Sequence, residues 1–385
     1  MLTRVALFVG CVFLVSADAV AEEPLFGRAP LGGVLRPANA PPCVSSALLA
    51  RLRSQATRRG GVLAVSAAPP LLPILPLGAN LYEDVLPGIF VDVDPALGAF
   101  GGLSCRDFTY DGHQGHDIGL RSFGEQVIGV PVFAVRDGVV LYAQDGFEDM
   151  NLAPSGDDGN YLAIDHGGGL VTWYFHLRKN SVAFALGQSV TEGQQIGLVG
   201  SSGYSFGPHL HFGVDQNGVA IEPMAGACGR IQSLFAHQSP LRLATLAQDF
   251  GVTTQDLFMT PGHPLVLPTE AQIPLSAGFT YFWMRVTNIP PASTWRVRFV
   301  RPDGSVALDS QTQPWGNSEH IRFWPGFFYW WVPDLHTIPG TWRYQFDFNG
   351  ETEIDAPFEA VVTVNPSFNR PPSPITLAFD PSAPT

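Results

Sequence analysis

Histidine binds divalent metals and is the one side chain whose ordinary pKa lies near neutrality, so clustered histidines point to metal or proton chemistry. Six of the ten histidines in this chain, His113, His116, His166, His176, His209 and His211, fall within residues 113–211. Along an extended segment, residues two or four apart share a face. His113 and Asp117 then share one face of the stretch Gly112–Ile118, and Gly115 between them removes a side chain that would crowd the space. His209 and His211 share one face of a second strand, with Leu210 and Phe212 turned toward a core. Two imidazoles and a carboxylate from two strands can thus meet at one point. Zinc accepts such nitrogen and oxygen ligands at about 2.0–2.2 Å in a tetrahedron, and catalytic sites leave the fourth position to water. Bound zinc lowers the pKa of that water to about 7 and polarises a carbonyl, so no separate nucleophile is required. The spacing leaves open whether His209 or His211 is the ligand. His116 faces away from His113 and Asp117 and is assigned a structural or rim role. His166 sits in a glycine turn, where capping or exposure is expected.

The elements that must position these groups are short strands. The chain has 385 residues, enough for two domains and extra segments. Charged residues make up only 14%, while Gly 41 and Pro 34 favour turns over long charged helices. The expected fold is all-β, a compact antiparallel domain over residues 91–235 followed by a small β-sandwich over residues 265–366. In the first, Val130–Val135 and Val139–Ala143 flank an Asp137-Gly138 hairpin signal, and Tyr161–Asp165 and Leu170–Phe175 flank three glycines. Gln195–Val199 and His209–Val214 follow. The acidic loop from Gln144 to Asn160 is long enough to be functional or mobile. In the second, Thr280–Val286, Trp295–Val300, Phe327–Val332 and Thr341–Phe348 are rich in aromatic and β-branched residues. A connector is expected near Ala236–Pro264 and a disordered, proline-punctuated tail over residues 367–385.

Residues 1–21 combine Arg4, an apolar run from Val5 to Ala17 and small residues at Ala17, Ala19 and Ala21, the pattern of a cleaved signal peptide. No later stretch reads as a membrane span, and the mature protein is expected to be secreted or periplasmic. Cys11 leaves with that segment, so Cys43, Cys105 and Cys228 remain, an odd number in an oxidising compartment. Cys105 and Cys228 flank the histidine segment, and their pairing would staple its ends, with Cys43 competing for either partner. Residues 22–90 read as a Pro/Ala-rich linker or pro-segment with a short helix from Ser45 to Gln55, whose arginines, Arg51 and Arg53 among them, are expected on a solvated face. The net charge of −13, with no basic stripe, excludes nucleic acid as a partner. Oligomeric state is not legible.

Several motifs carry a resemblance. His113-Gln114-Gly115-His116-Asp117 matches H-x-G-x-D, and Gly207–Phe212 reads G-P-H-L-H-F. Between them, Val132–Ala143 resembles V-x-A-x-x-D-G-x-V, Ile164–Gly167 reads I-D-H-G and Tyr174–Leu177 reads Y-x-H-L. In this order, over about residues 105–215, the chain resembles the lysostaphin and LytM type zinc metallopeptidases, peptidoglycan endopeptidases with a duplicated-hybrid-motif-like β fold. The resemblance implies a Zn2+ ion held by His113, Asp117 and His211, with His176 and His209 as catalytic histidines that handle the water proton and the oxyanion. It also places Tyr204 along the substrate groove. Phe175 and Phe206 stand where smaller residues are common. No H-E-x-x-H helix is present, so histidine must do the proton work.

The implied function is hydrolysis of peptide bonds in bacterial peptidoglycan, in stem-peptide cross-links or glycine bridges, by a zinc-activated water. Alternatives are a non-catalytic wall-binding or hydrolase-regulating module, or a secreted protease for glycine-rich proteins. The aromatic run Phe327–Trp331 suggests either a sandwich core or a carbohydrate-stacking surface, the core being favoured. The segment 22–90 could cover the groove, with Asn80 reaching toward the metal.

Overall fold

A computed structural model describes residues 27–31, 43–58, 71–94, 96, 98–105, 108–151, 155–205, 207–228, 230–255, 269–290, 292–314, 326–333 and 338–365. The expected signal peptide and C-terminal tail lie outside these residues. The described part is mostly antiparallel β-structure, as its glycine-punctuated, β-branched sequence requires.

The first region is built on one eight-stranded sheet. Its order is Leu86–Ile89, His116–Gly119, His209–Gln216, Leu170–Phe175, Tyr161–Asp165, Gly138–Gln144 and Ser189–Val190, with Val219–Ala220 added beside His209–Gln216. The Tyr161–Asp165 and Leu170–Phe175 strands form the expected hairpin, turned by Gly167, Gly168 and Gly169, all at positive φ. The Asp137-Gly138 signal is corrected. Pro131–Phe133 pairs with Gln195–Leu198 in a separate two-stranded ladder, while Gly138–Gln144 pairs with Tyr161–Asp165. Gly138 is needed for a close approach instead, since a Cβ there would lie 2.5 Å from Ile164 and 2.6 Å from the Asp165 carbonyl. The acids of the Gln144–Asn160 loop accept backbone N–H groups of Lys179, Asn180, Val182 and Ser201, which ties the loop to the body.

Alternation along these strands sends Leu162, Ile164, Tyr174, Leu210, Phe212 and Val214 into a core that also takes Leu72, Leu77 and Phe90. The opposite sheet face is covered by helix α1, Ser46–Arg58, whose start is capped by Ser45. Leu48, Leu49 and Leu52 of α1 pack with Tyr142, Tyr161, Trp173 and Phe175. Burial on both faces explains why every residue from His209 to Asp215 is buried. Cys105 and Cys228 form a disulfide, while Cys43, at the foot of α1, is outside it and buried.

The second region has two sheets. One has the order Gly27–Leu31, Gly326–Pro333, Phe279–Thr287 and Leu246–Thr253, and the other runs Gln272–Pro274, Glu351–Val361, Gly340–Phe348, Thr294–Val300 and Val306–Asp309 with Gln313–Pro314 at its side. Both contribute to one core, Val252, Phe282 and Met284 meeting Val297, Phe299, Trp342 and Phe346. Two expectations are corrected here. The stretch read as a connector supplies the strand Leu246–Thr253, and the N-terminal segment read as linker supplies Gly27–Leu31, paired with Gly326–Pro333. Between the regions, Arg285 donates to the Arg121 and Leu120 carbonyls, and burial lowers its pKa to about 10. No helix among the described residues is long and apolar enough to cross a membrane.

Candidate metal centre

The strands His116–Gly119 and His209–Gln216 lie side by side, with His211 opposite Asp117 in the register. Antiparallel pairing therefore sets the imidazole of His211 against the Asp117 carboxylate, His211 Nδ1 lying 2.8 Å from Asp117 Oδ1. His113 is not in the strand as expected. It sits in the turn that precedes it, and its Nε2 lies 3.2 Å from Asp117 Oδ1. The space for this convergence exists because residue 115 is glycine, where a Cβ would stand 2.4 Å from His211 Nε2.

His176 ends the neighbouring strand Leu170–Phe175 in a left-handed backbone conformation, φ 60°, a strained position for a non-glycine residue. Its ring lies 4.5 Å, centroid to centroid, from that of His209, and His209 Nε2 is 3.8 Å from Asp117 Oδ1. All five side chains, His113, Asp117, His176, His209 and His211, are at most 3% exposed. The five residues singled out by the motifs are thus brought to one buried point. Tyr204 is half-buried in the turn that follows Gly203, upstream of His209. Phe206 lies outside the described residues. Phe175 is buried and meets the His211 ring edge-on at 5.8 Å.

The hydrogen bonds fix which nitrogen faces the point. A backbone carbonyl can only accept, so a ring nitrogen beside one must carry the proton. His113 Nδ1 donates to the Phe90 carbonyl at 2.8 Å, His176 Nδ1 to Ser202 at 2.8 Å and His209 Nδ1 to Gly207 at 2.9 Å. Each Nε2 is then a lone-pair atom directed inward, the orientation that metal ligation and proton acceptance both need. His113 Nε2 and His176 Nε2 are buried without a hydrogen-bond partner. A buried polar atom left in that state costs about 1–3 kcal/mol, and it is tolerated where something else engages it.

Burial lowers the pKa of His176 well below the ordinary value and that of His211 to about 4, so both are neutral at neutral pH. For Asp117 burial acts upward, but its neighbours His113, His209 and His211 outweigh it and hold the carboxyl well below its usual range. A carboxylate and imidazole nitrogens form a donor set suited to zinc.

The other histidines are structural. His116 Nε2 pairs with Glu222 Oε1 at 2.7 Å, and Glu222 in turn accepts the Val91 and Met224 amides. His166 bridges the Asp137 carbonyl and the Thr172 hydroxyl, both at 2.8 Å.

One residue at the site was not foreseen. Cys43 Sγ lies 3.2 Å from His211 Nδ1 and 3.6 Å from each Asp117 oxygen. Asn80, the residue expected to reach the centre, is exposed and bonds Asp84 Oδ2 instead. One arginine of α1 is also corrected: Arg53 makes a two-pronged pair with Asp215 at 2.6 and 2.7 Å and reaches Gln114, whereas Arg51 is exposed as expected and pairs with Asp158 at 2.5 Å. Among the described residues, the groups able to hold a metal are Cys43 with His113, Asp117 and His211, and Cys43 with His176 and His209.

Comparison with known proteins agrees with this chemistry. Peptidase family M23 matches over residues 111–223. The chain is 36% identical over 112 residues to the peptidoglycan DD-endopeptidase ShyA of Vibrio cholerae, covering 29% of this chain and 22% of that protein. It is 38% identical over 99 residues to the DD-carboxypeptidase/endopeptidase Mpg of Neisseria meningitidis, covering 26% of this chain and 20% of that one. The catalytic domain of lysostaphin from Staphylococcus simulans is 25% identical, with coverage of 37% and 89% and a TM-score of 0.24. The chain thus spans about a fifth of the length of these two relatives. By its motifs, its sheet and this match, the segment 111–223 is a domain of peptidase family M23, the metallopeptidases of the lysostaphin and LytM type.

Proposed function

We propose that the protein is a secreted or periplasmic zinc endopeptidase that cuts peptide bonds in bacterial peptidoglycan. The observation that carries this reading is the convergence of three ligand atoms, His113 Nε2, Asp117 Oδ1 and His211 Nδ1, beside two further imidazoles. The donors fit the ion: ligands of one tetrahedral zinc lie about 3.3–3.7 Å apart, a spacing that the 3.2 Å from Asp117 to His113 nearly has and that the 2.8 Å hydrogen bond from Asp117 to His211 reaches by opening about half an ångström. The substrate class follows that of the ShyA and Mpg relatives.

When bound, zinc supplies Lewis acidity to an attacking water and to the scissile carbonyl. The protein's own residues do the rest. Asp117 remains ionised, and the Phe90 carbonyl holds the His113 ring in the ligating tautomer. His176 and His209, each with Nδ1–H on a backbone carbonyl, present Nε2 to take a proton from water, to deliver one to the leaving amine and to stabilise the carbonyl oxygen as charge develops. Tyr204 borders the groove as a substrate contact. The α1 segment acts as a pro-segment laid on the sheet of the peptidase domain, and the second region, with Gly27–Leu31 and Leu246–Thr253 included, acts as a β-sandwich accessory domain; the side chains of Phe327–Trp331 lie outside the described residues.

The test is mass spectrometry of purified peptidoglycan after prolonged incubation with the mature chain and with His211→Ala. New amino termini are expected with the wild type alone, together with one zinc per wild-type chain. Equal release by both proteins would overturn the assignment.

A further inference from the structure

We propose that Cys43 is a fourth ligand of the metal, so that the N-terminal segment closes the centre and the chain is made in a latent form. This rests on the metal-site reading above. The Sγ atom lies 3.2 Å from His211 Nδ1 and 3.6 Å from both Asp117 oxygens, and the ligand atoms of Cys43, His113, Asp117 and His211 all lie within 4.8 Å of one another. The two 3.6 Å separations fall within, and the 3.2 Å one just below, the about 3.3–3.7 Å that a common tetrahedral zinc imposes on sulfur, nitrogen and oxygen donors. Independently, His113 Nε2 and His176 Nε2 are fully enclosed and have no hydrogen-bond partner, so the pocket beside the thiol is built for an ion rather than for bonds among its own side chains.

Four protein ligands make a closed site, whereas hydrolysis needs one position for water. Cys43 also forms a second group within 4.8 Å with His176 and His209, so its sulfur stands in the space where water and a scissile carbonyl would have to meet those histidines.

The position of Cys43 is not an accident of a loose terminus. Val44 and the leucines of α1 pack on Tyr142, Tyr161, Trp173 and Phe175, covering the sheet face beside the centre. Tyr142 Oη donates to the Leu52 carbonyl at 2.8 Å, and Arg53 is held by Asp215 and Gln114. Asp215 lies four residues beyond His211 on the same strand face, so the clamp and the centre share one strand. Tyr110 Oη sits 3.4 Å from the sulfur and accepts the Cys43 amide at 3.3 Å. Ligation is an exchange: the thiol releases its proton to solvent as the sulfur–metal bond forms, and opening breaks that bond, a water takes the position and the sulfur regains a proton.

Cobalt(II) in place of zinc gives a direct reading, because thiolate ligation adds a near-ultraviolet sulfur-to-metal charge-transfer band. The full mature chain is expected to show this band, and Cys43→Ala and Cys43→Ser to lose it while still binding one cobalt. Both variants should hydrolyse peptidoglycan at least about tenfold faster, the gain expected when a competent state populated at one part in ten becomes dominant. Arg53→Gln, which leaves the sulfur in place, should raise the alkylation rate of Cys43 in the zinc-loaded protein at least about tenfold by the same reasoning. One bound cobalt without the band in the wild type overturns the proposal and leaves the metal site standing. No bound cobalt in any of these proteins overturns both.

Discussion

The two regions use polar side chains in opposite ways. In the second region charged groups are matched in pairs across neighbouring strands, Arg298 with Asp347 at 2.6 Å and Arg343 with Asp355 at 2.7 Å, over a core of Phe282, Trp283, Phe299 and Trp342. In the first region an aspartate and four histidines are buried together, and His176 keeps an Nε2 without a hydrogen-bond partner. Folding alone favours the first arrangement, since buried polar atoms left unpaired destabilise. At the centre they are grouped where chemistry can use them.

That contrast can be broken by substitution. The largest effect is expected from His211→Ala, which should reduce peptidoglycan hydrolysis by about a thousandfold or more and abolish stoichiometric zinc. Its thermal midpoint without metal should fall little, and a large fall would mean that the centre is structural. The mirror case is Trp342→Ala in the second core. There the loss of a fully enclosed indole should cost about 3–5 kcal/mol in denaturant unfolding of that region, with zinc content unchanged. Next comes a pair of glycines. Gly115→Ala drives a Cβ into His211 and should weaken zinc about 10–100-fold. Gly350→Ala, at φ 90° with open space around it, should cost only the backbone strain, about 1–2 kcal/mol, and leave zinc affinity alone.

The smallest effect concerns a histidine of the first region outside the centre. Burial lowers the His166 pKa, so its folded form resists protonation. The stability it contributes is present above the ordinary histidine pKa of about 6.5 and is lost as pH falls below it toward the folded value. Replacing it, as His166→Gln, should therefore shrink the fall in thermal midpoint between about pH 7.5 and 5. An unchanged fall would show that His166 is solvated.

Much of the first region was legible because its chemistry is written in periodicity. The alternation His209, Leu210, His211, Phe212 assigns two faces to one strand, and the structure sends the apolar pair into the core and the histidines out. The flanking cysteines, whose pairing the sequence suggested but left open to Cys43, are bonded to each other. Less was legible where pairing is decided by residues far apart. The Asp137-Gly138 dipeptide has the composition of a turn, yet its flanks join different sheets, because the glycine serves a contact with Ile164 and Asp165. Cys43 was read as the odd thiol competing for a disulfide partner and Arg53 as a solvated charge. Their partners lie 168 and 162 residues away, and no local pattern encodes such a distance. The same blindness pointed to Asn80 instead.

The bond between Cys105 and Cys228 spans 123 residues, and all five members of the centre lie inside that span. Tension applied along the chain from outside, at an N-terminal and a C-terminal grip, enters at one sulfur and leaves at the other. The strand Leu86–Ile89 can be peeled away, but the backbone that bears His113, Asp117, His176, His209 and His211 lies within the closed span and is bypassed. A chain tugged from both ends would therefore draw Cys43 and α1 away from the centre while the span that bears its five residues stays slack.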